Sequence, residues 1–161
     1  MKKIIYIGVL IMLVSLFTGC FKRKVRIENL RSFHYSYDTG WHANASESFD
    51  IEIDEDGKYV VKVKDDGMDP EDARKYEVDK YQIQRFESLL NEINIYKWDG
   101  FNKSDKNVLD GSSFSISINF GEDKNISAHG YMMYPSGYRE KTDSIKYWFS
   151  KIDKDKPKDT K

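Results

Sequence analysis

Residues 47–64 read ESFDIEIDEDGKYVVKVK. Phe49, Ile51 and Ile53 alternate with Asp50, Glu52 and Asp54, and Tyr59, Val61 and Val63 alternate beyond Asp56-Gly57. Alternation at period two gives a strand one apolar face, and two such runs around a glycine make a hairpin. A two-residue Asp56-Gly57 turn would set Ile53 against Val60 and Phe49 against Lys64, mixing the faces. A three-residue loop, Glu55-Asp56-Gly57, instead pairs Ile53 with Tyr59, Ile51 with Val61 and Phe49 with Val63. It also opposes Asp50 to Lys62 and Asp54 to Lys58. A slip of one residue turns every side chain to the other face, so the apolar match selects the three-residue loop, with Gly57 left-handed.

The pattern extends outward from this hairpin. In SFHYSYD, residues 32–38, Phe33, Tyr35 and Tyr37 alternate with His34, Ser36 and Asp38, which predicts a half-buried strand. Residues 65–75, DDGMDPEDARK, read as a loop, and 76–78 as a short edge strand. The period then changes. Ile83, Phe86, Leu90 and Ile93 form a helical stripe, with Asp79 as N-cap and Gln82 three residues on. WDGFNKSDKNVLDG, residues 98–111, reads as a long loop pinned by Trp98 and Phe101. A second hairpin follows: Phe114, Ile116, Ile118 and Phe120, a turn at GEDKN, then Ile126, Ala128, Gly130 and Met132. Tyr138, Ile145, Trp148, Phe149 and Ile152 make the last helical stripe, with Trp98 and Trp148 read as core.

The predicted order is β-ββ-(β)-α-ββ-α. One apolar face per strand implies an α+β fold: an antiparallel sheet of five to six strands with two amphipathic helices packed on one face. A chain of 161 residues fits one domain, placed at 32–153, and 39% hydrophobic content is enough for a core. The tail 154–161 is charged and without apolar residues, so it is expected to be disordered. With 26 basic and 27 acidic residues, nothing draws the chain generally toward nucleic acid.

The N-terminus has a separate logic. Lys2-Lys3 precede a run from Ile4 to Phe17 that is almost wholly apolar. That run is too short to span a ~30 Å bilayer core but suits the apolar region of a secretory signal. Leu16-Phe17-Thr18-Gly19-Cys20 follows and contains the chain's single cysteine. The string resembles the lipobox of bacterial lipoproteins, although Phe17 stands where the family usually has leucine. The resemblance implies a signal at 1–19, cleavage before Cys20, and diacylglycerol on the Cys20 sulfur. Two acyl chains anchor stably where one is marginal. Lys22, Arg23, Lys24 and Arg26 then make a basic tether, with 20–31 expected to lie outside the core. Near anionic lipid each such residue adds ~1 kcal/mol of attraction. The expected address is the outer face of the cell membrane.

YKWDGFN, VLDGSSFSISINF and HGYMMYP, in that order before a final helix, resemble a family of uncharacterised lipoproteins and secreted domains of low-GC Gram-positive bacteria. The likeness spans residues 32–153. It implies architecture and location, and transfers no catalytic residue.

Candidate site residues fall on the face away from the helices. The alternation places His34, Ser36 and Asp38 there, with Ser113, Ser115, Ser117 and Asn119 and, opposite them, Ser127, His129 and Tyr131. Ser, His and Asp on one surface invite a hydrolase reading, but no G-x-S-x-G elbow is present and a flat face lacks a water-excluding cleft. His34, His42 and His129 lack zinc-ligand spacing. The acidic stretches, including the oxygen-rich loop 99–110, are off the calcium-loop pattern and read as turn chemistry. Trp41, in a loop between strands, is a candidate contact for glycan or protein. The candidate face is therefore His34, Ser36, Asp38, Trp41, Ser115, Ser117 and His129, with no cofactor and no metal expected. The reading is a tethered, non-catalytic binding module with a protein or glycan partner in the envelope. Its alternatives are a cell-envelope hydrolase and an inhibitory lipoprotein capping a secreted enzyme.

Overall fold

A computed structural model describes residues 25–40 and 46–155. Cys20, Trp41, His42 and residues 156–161 of the tail expected at 154–161 lie outside the described residues, while 154 and 155 continue the last helix. Seven strands form one sheet: β1 (Leu30–Asp38), β2 (Ser46–Ile53), β3 (Tyr59–Lys64), β4 (Arg74–Val78), β5 (Phe101–Ser104), β6 (Ser113–Phe120) and β7 (Lys124–Tyr131). Helix α1 (Lys80–Glu92) follows β4, and α2 (Tyr138–Asp155) ends the described chain. The spatial order is β4-β3-β2-β1-β6-β7-β5.

The β2–β3 hairpin has the three-residue loop. Ile53 pairs with Tyr59, Ile51 with Val61, Phe49 with Val63 and Asp50 with Lys62. Gly57 sits at φ 78°, and the Asp54 carboxylate closes the turn on the Asp56 and Lys58 amides at 3.0 and 2.8 Å. The α1 start also follows the pattern. Asp79 accepts from the Gln82 amide at 2.7 Å, and the Gln82 side chain returns the bond to the Asp79 amide at 3.0 Å.

Both helices lie on one face of the sheet. Phe33 of β1 meets Phe86 of α1 edge-on at 4.9 Å between ring centroids and Phe149 of α2 at 5.8 Å. Phe49 of β2 reaches Phe149 at 5.0 Å. A buried aromatic of this kind contributes ~1.5–3 kcal/mol through burial, and favourable ring pairs add ~0.5–1.5. Trp98 is buried and donates its indole N–H to the Ser136 carbonyl at 3.2 Å. Trp148, expected in the core, is half-buried: it packs on Phe86 at 4.5 Å and keeps one side on the surface.

Three expectations are corrected. The sheet has seven strands and is mixed, because β5 pairs with β7 in parallel: Phe101 with Ala128 through Ser104 with Tyr131. Four residues with one apolar side chain carry no period-two signal. Backbone bonds hold the strand instead, Gly100 N–H to Ser127 O at 2.9 Å and Asp105 N–H to Tyr131 O at 3.0 Å. The edge strand β4 starts at Arg74, two residues before the expected position. The expected tether boundary at 31 also falls too late, since Ile27 and Leu30 are fully buried. Asn91 of α1 brackets Ile27, accepting from its amide at 2.9 Å and donating to its carbonyl at 2.8 Å. Glu87 accepts from the Leu30 amide at 2.7 Å. The packed fold thus begins by residue 27, pinned by two polar residues of the first helix.

Candidate functional site

Strand pairing fixes which polar residues share the open face. One row runs Lys75, Lys62, Asp50, His34, Ser117 and Ser127 across β4, β3, β2, β1, β6 and β7. The next runs Lys64, Ser48, Ser36, Ser115, His129 and Asn102. A third holds Ser46, Asp38, Ser113, Tyr131 and Ser104. Six of the seven candidate residues therefore lie in three adjacent rows: His34 and Ser117, then Ser36, Ser115 and His129, then Asp38. Trp41 is outside the described residues.

This face divides by charge. On the β4–β2 side it carries Lys75, Glu77, Lys62, Lys64, Glu52 and Asp50. Here Lys62 pairs with Glu52 at 2.5 Å, and Lys58, at the tip, with Glu77 at 3.0 Å. The Lys64 ammonium is held by the Ser46 carbonyl and hydroxyl at 2.5 and 2.9 Å. On the other side, β6, β7 and β5 present serines, asparagines, His129 and Tyr131, and no Asp, Glu, Lys or Arg. Small hydrogen bonds knit this half together: Ser36 to Ser115 at 2.8 Å, Asn119 to Ser32 at 2.7 Å and Asn125 to Asn119 at 2.9 Å.

His34 stands at the boundary. Its Nδ1 meets Asp50 Oδ1 at 2.6 Å. That hydrogen bond outweighs partial burial and raises the imidazole pKa above its ordinary 6.5. Asp50 is a site residue that sequence reasoning placed only against Lys62. Its partnership with His34 depends on the β1–β2 register, which the connecting loop sets and no apolar match along β2–β3 reveals. Asp38, placed by the alternation on the same face as His34, accepts from the Gly40 amide at 2.7 Å and shapes the turn out of β1.

Asp50, His34 and Ser117 lie in line, the residue types of a nucleophile, a base and its orienting acid. Such chemistry requires the serine hydroxyl within hydrogen-bond reach of the imidazole and a protected pocket. The Ser117 hydroxyl instead takes a long hydrogen bond from Asn125 at 3.5 Å, and the His34 side chain is 46% exposed. The arrangement suits charge recognition and hydrogen bonding at a wet surface. In the 99–110 loop the Asp99 carboxylate accepts from the Ser127 amide at 3.2 Å and Asp105 from the Asn107 amide at 2.9 Å. Among the described residues no three of His, Cys, Asp and Glu gather as a metal-ligating group, and no helix is long and apolar enough to cross a membrane.

No family model matches the chain, and no curated protein gives a significant match.

Proposed function

We propose that the chain is an extracytoplasmic lipoprotein, anchored through diacylglyceryl Cys20, that presents its open sheet face to a partner in the cell envelope without catalysing a reaction. The observation that supports this most is the uncharged half of that face. Across β6, β7 and β5 it offers hydroxyl, amide and imidazole groups with no formal carboxylate or ammonium. Such a surface gives up water at modest cost and recognises an uncharged polar partner, a glycan or a protein segment, by hydrogen bonds. The charged half, with His34 and Asp50 at its border, would set orientation more than affinity.

The tether fits this use. Cys20 and the clamped Ile27 are seven positions apart, so at most ~3.6 Å per residue holds the domain within ~25 Å of the lipid. Lys22, Arg23, Lys24 and Arg26 lie in or beside that span and favour an anionic leaflet. In cell fractionation, Cys20→Ala is expected to leave the membrane and still fold, because the change removes the lipid and none of the side chains of the described core. Retention of the variant in membranes overturns the lipid anchor. Envelope cross-linking with Ser115→Ala, Ser117→Ala and His129→Ala then tests the face: loss of a captured partner supports it, and unchanged capture by all three overturns it.

A further inference from the structure

A groove of about 1080 Å³ runs between α1 and α2, on the opposite side of the molecule from the open sheet face. Its walls are two helical stripes. Tyr81, Arg85 and Glu92 lie along α1, and Asp143, Tyr147 and Lys151 along α2 at intervals of four. From 81 to 92 the wall is ~16 Å long at 1.5 Å per residue.

Tyr81 is 64% and Tyr147 63% exposed, which is unusual for two large rings at one groove. Each is braced by a cation one turn along its own helix: Arg85 lies 6.0 Å from the Tyr81 centroid and Lys151 5.1 Å from that of Tyr147. Trp148 lines the groove from below, its ring fixed against Phe86 and Phe149 at 4.5 and 5.0 Å. The groove therefore presents one packed ring, Trp148, between two exposed ones, flanked by acceptors. Neither Glu92 nor Asp143 takes part in an ion pair among the described residues.

We propose that this groove binds an uncharged oligosaccharide, with Tyr81, Tyr147 and Trp148 stacking on sugar rings and Glu92 and Asp143 accepting from sugar hydroxyls. The composition selects this occupant over a protein helix. A docked helix needs a continuous hydrophobic groove for anchors at i, i+3 or i+4 and i+7, and this one is interrupted by Gln82, Ser88, Asp143 and Ser144. Here the aliphatic lining is only half-buried Leu89 and buried Ile152. Sugar rings carry an apolar C–H face that matches an aromatic ring and a hydroxyl rim that matches carboxylates. The lining balances two carboxylates, Glu92 and Asp143, with two cations, Arg85 and Lys151, so it offers no net positive charge to draw an anionic glycan. The site is independent of the open sheet face.

The test uses the full chain in detergent, titrated with the tetrasaccharides of N-acetylglucosamine, glucose in β-1,4 linkage and glucose in α-1,4 linkage. Binding is followed by calorimetry and by the NMR signal of the Trp148 indole N–H. At least one tetrasaccharide is expected to bind saturably and shift that signal. Tyr81→Ala and Tyr147→Ala should each weaken binding about tenfold, a loss of ~1.4 kcal/mol. Tyr81→Phe and Tyr147→Phe, which keep the rings, should retain it. Both tyrosines are surface residues, so the alanine variants are expected to fold, and their melts check this. Three results overturn the proposal: no binding of any probe at millimolar concentration, binding indifferent to both alanine variants, or sedimentation showing that the groove is closed by a second copy of the chain. Binding lost in Ser115→Ala or His129→Ala but kept in the tyrosine variants overturns it too, placing the sugar on the open face.

Discussion

Strand β6 presents Phe114, Ile116, Ile118 and Phe120 to the helices, each at most 2% exposed, and Ser113, Ser115, Ser117 and Asn119 to the other side. Both sets come from one eight-residue stretch, separated only by the pleat. On the covered face every side chain is fixed by its neighbours, because interiors are packed as densely as organic crystals. On the open face the hydroxyls hold one another by single hydrogen bonds and water can replace each. The same backbone thus carries a face where stability concentrates and a face where chemistry can change at little cost. Substitutions should separate the two by about an order of magnitude.

The largest effect should come from Phe86→Ala. Phe86 is fully buried and meets Phe33, Trp148 and Phe149 within 5.6 Å. Removing the ring opens a cavity where α1, α2 and β1 converge, so ~3–5 kcal/mol of stability should go. Chemical denaturation with the midpoint followed by circular dichroism checks it. A loss below ~1 kcal/mol would break the comparison, since aromatic ring burial typically accounts for far more.

Gly130→Ala sharpens the comparison within the covered face. A β-carbon on Gly130 would stand 2.1 Å from the Met133 carbonyl oxygen and 2.5 Å from the Phe114 ring. The chain folds back over this residue through Met132, which sits at φ 54°. Overpacking of this kind costs ~1–3 kcal/mol. A melt at wild-type temperature would show that the turn after β7 yields freely.

These contrasts were legible in the sequence to different depths. The β2–β3 register, the α1 capping box and both helical stripes follow from residue spacing, because period and polarity agree over many positions. β5 escapes notice because Phe101-Asn102-Lys103-Ser104 has a single apolar residue and is held by parallel backbone bonds to β7. The entry segment escapes because Ile27 and Leu30 sit among Arg26, Glu28 and Arg31, and only the α1 residues that clamp them reveal their burial. For the candidate site, strand alternation placed six residues on one face. It did not find Asp50 as the His34 partner, since that pairing crosses from β1 to β2 over a loop whose length no local pattern specifies. The last helical stripe likewise gave Trp148 to the core, whereas the splay of two helices leaves that ring half in a groove.

A smaller effect should come from the border of the open face. Asp50 raises the His34 pKa, so the folded state binds a proton more tightly than the unfolded chain. The pair's stabilisation is therefore complete below pH 6.5 and is lost as pH rises through the folded-state value. For an exposed pair its size is ~0.2–1 kcal/mol. Relative to His34→Gln, the wild type should gain stability at pH 5.5 and lose that advantage by pH 9. In an NMR titration Asp50→Asn should bring the His34 midpoint down toward 6.5. An unchanged midpoint would dissolve the pair.

The smallest effects should come from Ser115→Ala, Ser117→Ala and His129→Ala. Ser115 shares one 2.8 Å hydrogen bond with Ser36, Ser117 takes a long one from Asn125, and His129 is exposed. None touches the helices, and Ser36 and Asn125 can turn to water when a partner is removed. Each change should therefore stay within ~0.5 kcal/mol of wild type, as surface substitutions do. The neighbouring β6 residue Ile116, 2% exposed, should lose ~2–5 kcal/mol on the same truncation. The paired melts of Ser115→Ala, Ile116→Ala and Ser117→Ala thus read the pleat one residue at a time: small, large, small. A large loss at Ser117 with a small one at Ile116 would invert the faces and take the binding surface with it. The predicted alternation, joined to loss of a cross-linked partner in the serine variants alone, would separate what the open face does from what keeps it flat.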